Sequence, residues 1–174
     1  MVALARIATP LLAALIATGA LSAPVAADPL GPGAPLPALD LPGAGAALPP
    51  TSGKVVIVDF WASWCAPCRA SFAVYSELQR DLGPSGLVVI GVGVDEDARA
   101  YAGFVAKLRP SFTTVQDPEH ALVSRVQVPT MPTCYLVDRS GRVRFVHRGF
   151  HGADTERELR SEVRALLLEK GTSQ

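Results

Sequence analysis

The sequence has little with which to staple, charge or anchor itself. Its 174 residues include only three cysteines, too few for a small scaffold held together by disulfides. They suffice for one redox pair and one odd thiol. An excess of either charge is also missing: 16 basic residues balance 16 acidic ones. With no basic stripe, nucleic acid is not an expected partner. Histidine is limited to His120, His147 and His151, scattered along the chain. A structural zinc site takes about four ligands, and these residues do not supply a set. Long apolar runs are lacking too. Residues 11–21 are mostly apolar, but a spanning helix needs about 20 residues, and Pro10 and Gly19 interrupt the stretch. No Cys precedes Cys65, so a lipid on an N-terminal cysteine is not expected.

What is present reads as one globular domain with some sequence outside its core. Hydrophobic residues make up 49% and charged residues 18%, a balance that suits a packed core rather than disorder. Residues 1–27 have the pattern of an export signal: Arg6, an apolar stretch, then the small residues Val25, Ala26 and Ala27 at the usual cleavage positions. Cleavage is the favoured reading, with an uncleaved N-terminal anchor as the alternative. Either places the thiols in a periplasmic or other extracytoplasmic compartment, where disulfides persist. Residues 28–36 are rich in Pro, Gly and Ala and are expected to form an extended linker. The domain is expected over residues 37–170, with a short edge strand at residues 37–42.

From Lys54 onward, strand and helix signals alternate. Val55 to Phe60 is a continuous apolar run ending in an acid, as expected of a buried strand. A helix over residues 66–82 stops at Gly83-Pro84. Residues 87–94 form a second core strand. Asp95 is expected to cap a helix bearing Tyr101, Phe104, Val105 and Leu108 on one face. A short strand follows at residues 112–115, then a brief helix capped by Asp117. Strands at residues 133–137 and 142–147 flank the hairpin signature Asp138-Arg139-Ser140-Gly141. The arginines of the second of these strands suit a sheet edge. Thr155 with Glu158 is expected to form a capping box for the last helix, which Gly171 ends. The order β-α-β-α-β-α-β-β-α predicts an α/β fold: a mixed central sheet with helices on both faces.

The chemistry concentrates at Cys65-Ala66-Pro67-Cys68, where the first strand turns into the first helix. A helix N-terminus presents unpaired N–H groups and partial positive charge, so it stabilises a thiolate, the reactive form of cysteine. Two thiols spaced Cys-x-x-Cys can alternate as attacker and resolver. Cys65, at the first turn beside solvent, is the expected attacker, and Cys68, one turn inward, the resolver. Asp59, at the end of a strand that is otherwise apolar, should have a raised pKa. Trp64, with Ala66 and Pro67 between the cysteines, is expected to offer substrate an apolar contact, while Trp61 reads as core. Cys134 reads as a small buried hydrophobe, and His147 and His151 as surface groups.

The run Val58-Asp59-Phe60-Trp61-Ala62-Ser63-Trp64-Cys65-Ala66-Pro67-Cys68 resembles the active-site segment of the thioredoxin superfamily. The wider chain resembles its exported TlpA-like thiol–disulfide oxidoreductases, through Val92-Gly93-Val94-Asp95, Met131-Pro132-Thr133 and residues 136–141. The helix and short strand between Gly91 and Gln116 resemble the insert of that group. This resemblance implies a thioredoxin-like fold. It also implies a Cys-x-x-Cys cycle that reduces disulfides of exported proteins, with a membrane thiol reductase as electron donor, no cofactor and no metal. The resemblance gives Asp59 the exchange of a proton with Cys68, makes Pro132 the superfamily's cis-proline, and leaves the Met131 backbone free to pair with substrate. A monomer is expected. Many relatives carry Asn at the position of Asp59 and Glu at that of Ser71, so the acid here sits on the strand, as in thioredoxin itself. Thr133 stands where members devoted to cytochrome c maturation often carry Glu. The alternatives are a peroxidase of the same superfamily, disfavoured by Ala62 where that group carries Thr or Ser, and a non-catalytic metal- or thiol-binding module.

Overall fold

The computed structural model describes residues 30–39 and 48–169. Among these residues five strands and four α-helices follow in chain order: β1 (Val55–Trp61), α1 (Ala66–Leu82), β2 (Leu87–Gly93), α2 (Ala98–Leu108), β3 (Thr113–Gln116), α3 (Ala121–Val126), β4 (Thr133–Val137), β5 (Val143–Arg148) and α4 (Ala153–Leu168), with a short 3-10 helix at Gly83–Ser85. They build a five-stranded sheet in the order β3-β2-β1-β4-β5. The first three strands are parallel, and β4 and β5 join antiparallel. This is the mixed sheet expected of the thioredoxin-like fold.

The apolar run Val55-Val56-Ile57-Val58 explains why β1 is central. All seven of its residues are buried, which suits a strand paired on both edges and covered on both faces. Tyr75 of α1 bonds to Asp59, and Phe72 of α1 and Phe104 of α2 pack on Trp61, so α1 and α2 cover the face carrying Asp59 and Trp61. The other face carries Val56, Val58, Phe60 and Tyr135, all buried, and Leu122 and Val126 of α3 are buried as well. β5 forms the arginine-bearing edge. Residues 33–36 run beside its start: the Gly33 N–H donates to Val143 O at 2.7 Å, and the Leu36 N–H to Gly141 O at 2.9 Å. The edge pairing therefore lies N-terminal to the residues 37–42 where it was expected. Residues 37–39 form no strand, and residues 40–42 fall outside the described residues.

Helix starts differ from expectation where the capping side chain takes another partner or reaches further along the chain. Asp97, not Asp95, caps α2 by accepting from the Arg99 N–H at 2.8 Å. Asp117 does cap α3, but from a distance: its carboxylate accepts from the N–H groups of Ala121, Leu122 and Val123, and the helix begins at Ala121. In α4 the N-cap is Gly152, and Thr155 accepts from the His151 N–H instead of closing a capping box with Glu158. That helix ends at Leu168, and Gly171 is outside the described residues.

The C-terminal end of β1 is locked by an aromatic cluster. The Trp61 ring stacks on Tyr101 and Phe104 at 5.3 and 4.7 Å between centroids and meets Phe72 edge-on at 4.9 Å. Phe72 also meets Phe104 and Phe112. Alternate residues of β2 leave room for the indole. A Cβ on Gly93 would lie 2.7 Å from Tyr101 and 2.9 Å from Trp61, and one on Gly91 would lie 3.0 Å from Phe112. Gly93→Ala should therefore overpack the cluster and cost about 1–3 kcal/mol. Gly103→Ala, in the exposed face of α2 with nothing within 4 Å, should stabilise by about 0.5–1 kcal/mol through helix propensity. Urea unfolding midpoints check both, and a neutral Gly93→Ala would contradict the tight packing.

Candidate active site

The site is assembled where β1 ends. After Trp61 the chain turns, and the Cys65 N–H closes that turn on Ala62 O at 3.1 Å. Cys65 is the N-cap of α1, extended at φ −82° and ψ 107°, with Pro67 in the first turn, where its missing N–H costs nothing. Cys65 and Cys68 are joined in a disulfide, their Cα atoms 5.4 Å apart. In this oxidised state Cys65 keeps 4% of its surface exposed and Cys68 none. The attacking position is thus the outer of the two, although more covered than its place beside the turn suggested. Its rim is open: Trp64 is 73% exposed, and Ala66 and Pro67 are exposed on either side of the peptide that joins them.

A strap missed in the sequence holds this turn. The Asp95 carboxylate, 5% exposed, accepts from the Ser63 N–H at 2.8 Å and from the Ser63 hydroxyl at 2.6 Å. The Asp95 carbonyl accepts in turn from the Gln116 side chain, and His120 Nε2 lies 2.9 Å from Val94 O. Residues two positions ahead of Cys65 are thereby tied to the ends of β2 and β3. The signal was in Val92-Gly93-Val94-Asp95, but an acid after a strand and before a helix also reads as a cap.

β4 brings the second loop to the same end of the sheet. Phe60 pairs with Thr133, so residues just before β4 lie beside the end of β1. The Met131–Pro132 peptide is cis, as the resemblance implied. Pro132 O accepts from the Gly149 N–H at 2.8 Å, the Thr133 hydroxyl donates to Thr130 O at 2.8 Å, and Met131 is half-buried.

The strand that leads to the disulfide carries a carboxyl group removed from water. Asp59 is fully buried. The Tyr75 hydroxyl donates to its Oδ1 at 3.1 Å, while Oδ2 has no hydrogen-bond partner. Burial pushes the Asp59 pKa well above the ordinary carboxyl value, and the Tyr75 bond offsets only part of that rise. Cys68, Ser71, Phe72 and Tyr75 are buried residues of α1 at helical spacing, so they share the face turned toward Asp59. The Ser71 hydroxyl is spent on Cys68 O at 3.1 Å. Cys134 pairs directly with Asp59 across β1 and β4 and is 2% exposed, the buried thiol expected. His147 departs from its reading as a surface group: its side chain is 12% exposed and its Nε2 lies 2.6 Å from Glu162 Oε2. Among the described residues, no three His, Cys, Asp or Glu side chains gather to hold a metal ion, and no helix is long and apolar enough to cross a membrane.

Known proteins are similar to this chain. Residues 25–163 match the family model described as Redoxin. The thiol-disulfide oxidoreductase ResA of Bacillus cereus is 30% identical over 104 residues, 60% of this chain and 60% of ResA. The chain therefore spans less than two thirds of that relative. A solved structure described as a thiol:disulfide interchange protein DsbE from Chlorobium tepidum is 34% identical, with a TM-score of 0.74 over 79% of this chain and 99% of the other. A secreted disulfide oxidoreductase of Mycobacterium tuberculosis is 25% identical, with a TM-score of 0.59 over 67% of this chain and 84% of the other.

The folded protein holds the Asp59 proton more tightly than the unfolded chain does. The stability this gives is fully present below the ordinary carboxyl pKa of about 4 and is lost as pH rises through the raised folded value. Asp59→Asn should therefore match the oxidised wild type at the acid end. Its advantage should then grow by up to about 1.4 kcal/mol per pH unit within that window. Thermal unfolding across pH measures this, and a difference that does not grow with pH would contradict a proton-holding Asp59.

Proposed function

Because the chain belongs to the redoxin family, we propose that it is a thiol–disulfide oxidoreductase that reduces disulfides of other proteins through Cys65 and Cys68. The observation that carries this reading is the Cys65–Cys68 disulfide itself, set at the N-terminus of α1 under an exposed rim of Trp64, Ala66 and Pro67. It is the oxidised half of a two-electron couple.

In the reducing direction the Cys65 thiolate attacks one sulfur of a substrate disulfide. The substrate S–S bond breaks, and a mixed disulfide forms as the first substrate thiol leaves with a proton. Cys68 then gives its proton to Asp59 and attacks Cys65 Sγ. The second substrate thiol leaves, and two electrons have passed from the dithiol to the substrate. The helix N-terminus favours the Cys65 thiolate, and a buried carboxyl with one free oxygen suits proton exchange with Cys68. An extended substrate segment would lie over Trp64 and pair with the backbone at Met131, beside cis-Pro132. The same reading makes exported, disulfide-containing proteins the substrates and a membrane thiol reductase the donor that restores the dithiol. It assigns the protein to an extracytoplasmic compartment, with residues 1–27 as signal or anchor and residues 28–36 as linker. The secreted relative supports that placement.

Reduction potential and trapping test this together. Equilibrated with thiol–disulfide buffers, the protein should settle near the reducing end of the superfamily range, about −270 mV, and far from the about −120 mV of a strong oxidant. Cys65→Ser should reduce no disulfide substrate, and Cys68→Ser should accumulate a mixed disulfide at Cys65. Turnover by Cys65→Ser would overturn the assignment, and a potential at the oxidising end would reverse its direction.

A further inference from the structure

The oxidised site leaves one buried group with an unexplained partner. Tyr75 is 1% exposed and sits two helical turns beyond Cys68 on the inward face of α1. Its hydroxyl donates to Asp59 Oδ1 at 3.1 Å, and the Cys134 thiol interacts with that same hydroxyl. The order of donors follows from chemistry. A carboxylate can only accept, so the hydroxyl proton goes to Asp59. Asp59 Oδ2 is then the buried oxygen with no partner.

We propose that Tyr75 is a positioning residue for the thiol chemistry: by occupying Asp59 Oδ1 it leaves Oδ2 as the oxygen that takes the Cys68 proton. In that step the Cys68 S–H bond breaks, an O–H bond forms at Oδ2, and the thiolate attacks Cys65 Sγ of the mixed disulfide. The proposal rests on the oxidoreductase reading. Tyr75 acts through Asp59 alone, by stabilising its charged form with a hydrogen bond that water cannot replace. The other titratable groups around the pair are Cys134 on β4, His147 on β5, which pairs with Cys134, and Glu162 on α4, which binds His147. From β2, Asp59 meets Gly91, which brings no charge.

Tyr75→Phe keeps the ring and removes only the donor. Without it the Asp59 carboxylate is harder to form, so its titration moves to higher pH. Two readouts follow. Infrared titration of the buried carboxyl, identified as the band lost in Asp59→Asn, should show a higher midpoint in Tyr75→Phe. The rate of mixed-disulfide resolution should have its rising limb displaced to higher pH, with about a tenfold loss below the midpoint, the worth of one hydrogen bond to a charged group. In an Asp59→Asn background the same substitution should displace nothing further. The proposal is overturned if Tyr75→Phe leaves the carboxyl midpoint unchanged, or displaces the rate profile equally when Asp59 is Asn. The infrared midpoint does not depend on turnover, so a wild-type protein that reduces no disulfide would refute the oxidoreductase reading without deciding the role of Tyr75.

Discussion

Everything at this site depends on a carboxyl group kept in the middle of a sheet. A buried carboxyl without full hydrogen bonding is costly, and it is tolerated only when it stays neutral or finds a donor. Asp59 does some of each: one oxygen accepts from Tyr75 and the other has no partner. The strand that carries it is paired by β2 on one side and β4 on the other, and all seven of its residues are buried. The same pairing sends the chain out at Trp61 into the turn that holds Cys65, and brings cis-Pro132 alongside. The burial that makes Asp59 unusual also sets the position of the thiols.

Two contacts keep the thiols where β1 delivers them. The aromatic cluster around Trp61 fixes the end of the strand against α1 and α2. The Asp95–Ser63 bonds then fix the turn that follows. Both use β2, through glycines that leave space for the indole and an acid just beyond the strand. The helix-and-strand insert between β2 and α3 therefore does more than lengthen the chain. It supplies Tyr101 and Phe104 to one contact and Gln116 to the other.

Local signals were readable in the sequence, and distant partners were not. The α1 boundaries follow from the Cys-x-x-Cys turn at one end and Gly83-Pro84 at the other. The strands along the chain follow from apolar runs and one hairpin signature. Asp95 and His147 were misread because their partners lie far along the chain. Asp95 looked like a cap because Ser63 is not its neighbour in sequence. Thr155 looked like half of a capping box, but its hydroxyl accepts from the His151 N–H four residues back, a local bond that the Thr-x-x-Glu spacing does not reveal. His147 looked exposed because the register that sets it beside Cys134, and the helix that brings Glu162 to it, are properties of the folded sheet. Tyr75 falls at helical spacing with Phe72 and Leu78, and a hydroxyl that meets a buried acid leaves no trace in that spacing.

The neutral Ser71 bears on how the proton moves. Its hydroxyl is spent on the Cys68 carbonyl within its own helix, so it brings no charge toward the disulfide. The fully buried acid on that side of the sheet is then the one on β1, and it cannot serve both thiols alike. Cys65, at the outer edge and at the helix N-terminus, has the dipole to hold its charge. Cys68, one turn inward and fully covered, lacks water and needs a base to accept its proton. A protein selected only for stability would place an apolar residue where Asp59 stands. Keeping an acid there makes sense if the site must exchange a proton in a place that solvent does not reach.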